Sequence, residues 1–335
     1  MVRIGTILTA LCFYASATAA EPARFEYEQP HMGTLFRIVF YAPDRTIADK
    51  AATAVSERIE ALNLIMSDYR ADSELMKLCA AFDSKVGEPV RVSAELFEVL
   101  AAAREVSELS GGAFDVTVGP VVKLWRVARK TGRLPPPDEL AAARKLVGWK
   151  NVELSAKNRT VRLLIPGMKL DLGGIAKGYA ADEALKVARS FGISSAMVAA
   201  SGDISVTDAP PGRDAWRLEV GGLTRTSPRR VLNLKNAAVS TSGDAEQHVV
   251  IDGIRYSHIV DPRTGVGLTG HRSVTVIAPR GILADSLTKM ASILDADRAF
   301  DVLKKREGVA CLIVVLDGKK EKSWQTKNFE AFLSE

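Results

Sequence analysis

Apolar positions along the chain change their period several times. Ile47, Ala51, Ala54, Val55, Ile59, Leu62 and Met66 recur at intervals close to a helical turn, and so do Leu96, Val99, Leu100, Ala103 and Val106. That spacing gathers the apolar side chains on one stripe, so each stretch predicts an amphipathic helix with one face in a core. TLFRIVFY (34–41), TVRLLI (160–165), AMVAA (196–200), HVVID (248–252), SVTVIAP (273–279) and ACLIVVL (310–316) are short continuous apolar runs and predict strands. Strands and helices do not alternate regularly, which favours an α+β fold over a doubly wound parallel sheet. RLPPPDEL (133–140) reads as a turn, with Asp138 placed to cap the helix that follows. No repeat, low-complexity tract or linker divides residues 21–335, which are expected to form one domain, at most with two lobes.

The first twenty residues, MVRIGTILTALCFYASATAA, break this pattern. One arginine precedes an apolar stretch from Ile4 to Tyr14, and small residues follow up to Ala17, Ala19 and Ala20. This is the layout of a secretory signal peptide cleaved after Ala20, and the apolar run is short of the ~20 residues a membrane span needs. Cys12 follows Leu11, where a lipoprotein site requires a small residue. The expectation is an exported, periplasmic protein without a stable membrane span.

Composition narrows the partners. The 335 residues carry 45 Lys and Arg against 40 Asp and Glu, a net +5, and cleavage would remove one arginine and no acid. So small an excess suits an anionic ligand and argues against a nucleic-acid partner. Cys79 and Cys311, the two cysteines beyond the leader, lie far apart in apolar contexts and read as buried thiols rather than a disulfide or a zinc pair.

Candidate chemistry concentrates in DLGGIAKGYAAD (171–182). Gly173 and Gly174 allow close backbone approach to a ligand, and the helix behind them offers unpaired N–H groups at its amino end, a favourable place for phosphate. The spacing matches neither a Walker A loop nor GxGxxG, and the plain alternative is a tight strand-to-helix connection. Further clusters stand apart in sequence: Tyr69 in MSDYRADSELMKL, Asp115 after two glycines in SGGAFDVTVGPVVKLW with a strand-like piece ending at Gly119-Pro120, His258 in a hydroxyl-rich block, and Asp285 near the start of an apolar helix. Taken singly, Asp115 and Asp285 read equally well as caps and His258 as a core histidine.

Together these blocks resemble the FAD:protein FMN transferases, the ApbE-like group also labelled thiamine-biosynthesis lipoproteins. The resemblance rests on HMGTLFRI (31–38), MSDYRADSEL (66–75), GGAFDVTVGP (111–120), DLGGIAKGYAAD (171–182), SGDI (201–204), STSGD (240–244), YSHIVDPRTG (256–265) and ADSLTK (284–289), in register over nearly all of residues 21–335. It implies a T-fold-like α+β architecture of mixed sheets flanked by helices. The implied reaction splits FAD at its pyrophosphate, passes FMN to a Thr or Ser hydroxyl of an exported acceptor protein and releases AMP. Matching positions place Met32, Tyr69, Ala113, Phe114, Asp115, Asp171, Lys177, His258 and Ile259 around the flavin nucleotide. His258 and Asp285 are then the candidates for taking up the hydroxyl proton. The resemblance further implies Mg²⁺ held by the Gly174 carbonyl, Asp285 and a threonine four residues later.

Two positions depart from the family pattern. Lys289 stands where that threonine would, on the same helical face as Asp285, and a protonated lysine offers positive charge but no lone pair. Either the Lys289 ammonium partly replaces the metal, or Thr288 or water supplies the missing oxygen, or the site is impaired. A surface Lys289–Asp285 ion pair, worth only ~0.5 kcal/mol, is the plain alternative. Ser201 stands where a glycine is usual. Three functions therefore remain open: a metal-assisted flavin transferase, an FAD pyrophosphatase giving FMN and AMP, and a flavin-binding protein without catalysis.

Overall fold

The computed structural model describes residues 21–223, 229–243, 247–318 and 320–334; the leader-like segment 1–20 and Asp244 of STSGD lie outside the described residues. Eight helices are present among them: α1 (Arg45–Met66), α2 (Glu74–Ala80), α3 (Ala94–Ser110), α4 (Gly119–Thr131), α5 (Pro137–Arg144), α6 (Ala176–Ser190), α7 (Gly281–Ile293) and α8 (Ala296–Leu303). The two longest are the two predicted from periodicity. Asp44 caps α1 by accepting from the Ile47 N–H, Ser93 caps α3 by accepting from the Leu96 N–H, and Gly111 ends α3 with φ +61°.

The central sheet has eight strands: Ala23–His31, Thr34–Ala42, Ser195–Ala200, Asp203–Val206, Ala237–Gly243, His271–Ala278, Ala310–Asp317 and Lys320–Gln325. They lie side by side in chain order, and every neighbouring pair is antiparallel rather than mixed in direction. Both faces are covered, which is why the central strands read as continuous apolar runs. Phe36, Ile38 and Phe40 point into the core beneath α1, α3, α6 and α7. Val39 on the same strand packs instead with Val239, Ile277, Leu312, Trp216 and Leu232, where the hairpin Trp216–Val220 and Arg230–Leu234 closes the opposite face. A third cluster joins α4 and α5 to a small sheet of His248–Ile251, Ile254–Asp261 and Val266–Thr269 through Val121, Trp125, Ile251 and Tyr256.

Local expectations are corrected in three places. Asp138 is not the cap of α5: Pro136 holds that position, Pro137 begins the helix, and Asp138 lies in its first turn, where its charge faces the positive end of the helix dipole. The strand-like piece before Gly119-Pro120 is a 3₁₀ turn, Val116–Val118, leading into α4. The TVRLLI run forms a strand only over Thr160–Leu163, in a separate three-stranded sheet with Val90–Arg91 and Val152–Ser155. Cys79 and Cys311 are free and buried. Among the described residues no helix is long and apolar enough to cross a membrane.

Candidate functional site

A cleft of about 1390 Å³ opens where the ends of α1 and the sheet strands meet α4, α6 and α7. Met32, Tyr69, Ala113, Phe114, Asp115, Asp171, Gly174, Lys177, Ser201, His258, Ile259 and Lys289 all line it. Segments as far apart as residues 32 and 289 thus converge on one surface. Met32 arrives there because the hairpin between the first two strands turns through Met32 and Gly33, both with positive φ (48° and 72°), as a tight two-residue turn requires.

The inner wall is made where α6 meets α7. A Cβ on Gly178 would lie 2.1 Å from the carbonyl oxygen of Gly281, so only glycine permits this approach. Asp182 on α6 then accepts from the N–H groups of Gly281 (2.7 Å) and Ile282 (3.1 Å), capping α7, which has no side-chain cap of its own. These contacts bring the two helix starts together and with them two lysines and two aspartates. Lys177 Nζ lies 3.0 Å from Asp203 Oδ2 and 3.6 Å from Asp285 Oδ2; Lys289 Nζ lies 2.9 Å from Asp285 Oδ1. Asp285 also accepts from the Gly178 N–H, and Asp203 from the Ser240 hydroxyl. Burial alone would lower the Lys177 pKa, but the two carboxylates outweigh it and hold the ammonium firmly charged; Lys177 and Lys289 in turn keep Asp203 below the usual carboxylate range against its own burial.

The Lys289–Asp285 pair therefore exists, but not as a surface pair. Lys289, 16% exposed, lines the cleft, and the fully buried Asp285 lies behind the lining residues. The Lys289 stem packs against Gly174, where an added Cβ would meet its Cγ at 3.0 Å. Ser201 lines the same wall with φ +58°, a left-handed conformation that glycine adopts freely and serine at a cost of ~1 kcal/mol.

The outer wall is aromatic and cationic. Tyr69 is 77% exposed, and the Arg126 guanidinium lies 4.1 Å from its ring centroid, leaving the other ring face open as a stacking platform. Arg126 is held by Asp68 (2.6 Å) and Asp171 (2.9 Å), and Asp171 also accepts from the Gly173 N–H. Burial and the neighbouring Asp68 push the Asp171 pKa up, although Arg126 opposes them. Asp115 does cap its 3₁₀ turn, accepting from the N–H and hydroxyl of Thr117, and it also accepts from the Trp149 N–H while lining the cleft. His258 Nδ1 lies 3.1 Å from the Gln247 carbonyl, so that nitrogen carries the proton and Nε2 keeps its lone pair. Burial, followed by the Lys289 charge, lowers its pKa to about 4.

The atoms that the resemblance assigns to Mg²⁺ do not make a divalent-cation site as they stand. Both Asp285 oxygens already face N–H donors, and the Thr288 hydroxyl donates to the Ala284 carbonyl at 2.5 Å, away from the residues lining the cleft. Among the described residues no three His, Cys, Asp or Glu side chains converge as a metal set. Two ammonium groups against two carboxylates are already balanced, whereas Mg²⁺ requires several free oxygen donors. Arg126, Asp68, Asp182 and Asp203 were not singled out from sequence. Asp68, Asp182 and Asp203 lie inside the motifs MSDYRADSEL, DLGGIAKGYAAD and SGDI, and Arg126 follows a buried tryptophan in a helix that reads as merely basic and amphipathic.

Comparison with known proteins gives the family. A sequence model of the ApbE family matches residues 32–313. The FAD:protein FMN transferase of Treponema pallidum is 32% identical over 335 residues, covering 94% of this chain and 91% of the relative, and that of Vibrio cholerae is 32% identical, covering 91% of each. Among solved structures, the flavin transferase ApbE from Vibrio cholerae superposes with a TM-score of 0.83 at 30% identity, over 93% of this chain and 100% of that one. The ApbE protein from Thermotoga maritima does so with a TM-score of 0.81 at 33% identity, with the same coverage. By sequence, fold and the convergence of its motifs on one cleft, the chain belongs to the ApbE family.

Proposed function

We propose that this protein transfers FMN from FAD to a Thr or Ser hydroxyl of an acceptor protein and releases AMP. The observation that carries the reading is the meeting of Lys177, in the first turn of α6, and Lys289, two turns into α7, around Asp285, inside a cleft roomy enough for a dinucleotide. A flat ring system stacks on Tyr69, backed by Arg126, and the diphosphate lies toward the two ammonium groups. The acceptor oxygen forms a bond to the FMN phosphorus as the bond from that phosphorus to the bridging oxygen breaks, and AMP departs with that oxygen. His258 takes the hydroxyl proton on Nε2, and the arriving diphosphate, by opposing the Lys289 field, raises its basicity.

Phosphoryl transfer asks mainly for positioning and charge neutralisation. Mg²⁺ would supply such charge, but the donor atoms here do not fit it; the Lys289 ammonium stands in its place as a point charge. The leader-like residues 1–20 support an exported, periplasmic site of action and hence an exported acceptor.

Incubating the protein with FAD and an exported acceptor domain tests the reading. The expected result is a covalently fluorescent acceptor band and stoichiometric AMP. AMP without a labelled acceptor would replace it with pyrophosphate hydrolysis, and bound, unchanged FAD with a non-catalytic binder.

A further inference from the structure

Helix α4 turns two different stripes to its surroundings. Val121, Trp125 and Ala128 are buried against the small sheet, while Val122, Arg126 and Arg129, at i, i+4 and i+7, line the cleft. Six cationic side chains line that cleft among the described residues, and five have an acid partner: Arg70 with Glu60 and Asp72, Arg126 with Asp68 and Asp171, Lys177 with Asp203 and Asp285, Arg229 with Glu219, and Lys289 with Asp285. Arg129 is the sixth. Its Nη1 is buried and has no hydrogen-bond partner. A guanidinium nitrogen removed from water and left unpaired is costly, and a buried donor without a partner calls for an explanation.

The position of Arg129 supplies one. It lines the same cleft as Tyr69, Asp171 and His258 and is close enough to interact with all three through its charge, yet it forms no ion pair. The lysine–aspartate cluster of the inner wall is neutral as a unit, and Arg126 is fully countered by two carboxylates. A dianionic diphosphate entering the cleft therefore meets, at Arg129 alone among these six, a guanidinium without an ion-pair partner. We propose that Arg129 is a phosphate-anchoring residue of this cleft, its Nη1 donating to a phosphate oxygen of the bound flavin nucleotide. This rests on the flavin-transfer reading and adds to it a residue that no motif marked. It also explains why the free protein keeps a destabilising, unpaired guanidinium: the ligand completes the pair. Such separation of binding from stability is common where a site is held ready for an anion.

The test compares phosphate-bearing and phosphate-free flavins on the same protein. Dissociation constants of FAD, FMN and riboflavin are measured by flavin fluorescence for the wild type, Arg129→Gln and Arg129→Lys. The expected result is a tenfold to hundredfold weakening of FAD and FMN by Arg129→Gln, no more than a twofold change for riboflavin, and an intermediate loss for Arg129→Lys, which keeps charge but not the fork. Riboflavin binding in the same sample serves as the control for folding. The melting temperature of ligand-free Arg129→Gln is expected to equal or exceed that of the wild type, because the substitution removes a buried, unpaired charge. FAD affinity unchanged within twofold, or an equal loss for riboflavin, would overturn the assignment while leaving the flavin reading intact. A wild-type protein that binds none of the three overturns both.

Discussion

At the scale of single residues, the decisive position is 289. A lysine four residues after Asp285 converts an oxygen-donor arrangement into a balanced set of two ammonium groups and two carboxylates. Wild-type transfer is accordingly expected to persist undiminished in EDTA, whereas Lys289→Thr removes one resident cation, restores an oxygen donor and makes transfer dependent on added Mg²⁺. Activity assays with and without chelator check this, and a Lys289→Thr variant indifferent to metal counts against it. His258 makes a second expectation. Its pKa of about 4 lies below the ~6.5 of an unperturbed imidazole, so between those values the unfolded chain binds a proton that the folded one rejects. Its contribution to stability is present above pH ~6.5 and is lost as pH falls toward about 4. An NMR titration of the ligand-free protein should find the imidazole neutral at pH 5.5; a midpoint near 6.5 would contradict this.

Elements matter here mainly through how two helix starts meet. The glycine-rich motif at 171–182 suggested a phosphate cradle, and its residues do line the cleft, but much of its composition serves packing. Gly178 admits the backbone of α7, and Asp182 caps that helix from the outside. Gly178→Ala places a methyl group against a backbone carbonyl that cannot give way. The expected cost is ~1–3 kcal/mol in urea unfolding, with transfer falling by more than stability alone explains, because Lys177 and Asp285 separate. Unchanged activity would show that the helix contact does not position the site. Elements with strong periodicity were legible: α1, α3 and the strands around 34–41, 196–200, 273–279 and 310–316 appear close to their expected bounds. The strand Ala23–His31 was not, since its alternating polar residues and Pro30 mask an edge strand whose partners are set by the hairpin turn.

For the molecule as a whole, the cleft is assembled from segments distributed between residues 32 and 293, so a bound nucleotide ties together α1, α4, α6, α7 and the sheet. FAD at a hundred times its dissociation constant is therefore expected to raise the unfolding free energy by ~2.7 kcal/mol, visible as a higher melting temperature, with riboflavin at equal concentration raising it less. No shift with FAD would argue against this cleft as the site.

From sequence alone, the helices and central strands followed from apolar period, and the motifs marked most of the residues around the cleft, because each depends on local spacing that the chain carries in itself. Only the tertiary structure decided that Lys177, Asp203, Asp285 and Lys289 form one neutral cluster, that Arg126 backs Tyr69, and that Arg129 alone among the six cations of the cleft has no ion-pair partner. Those are facts of distance between groups remote in sequence, and charge pairing in a buried site depends on distance rather than on order along the chain.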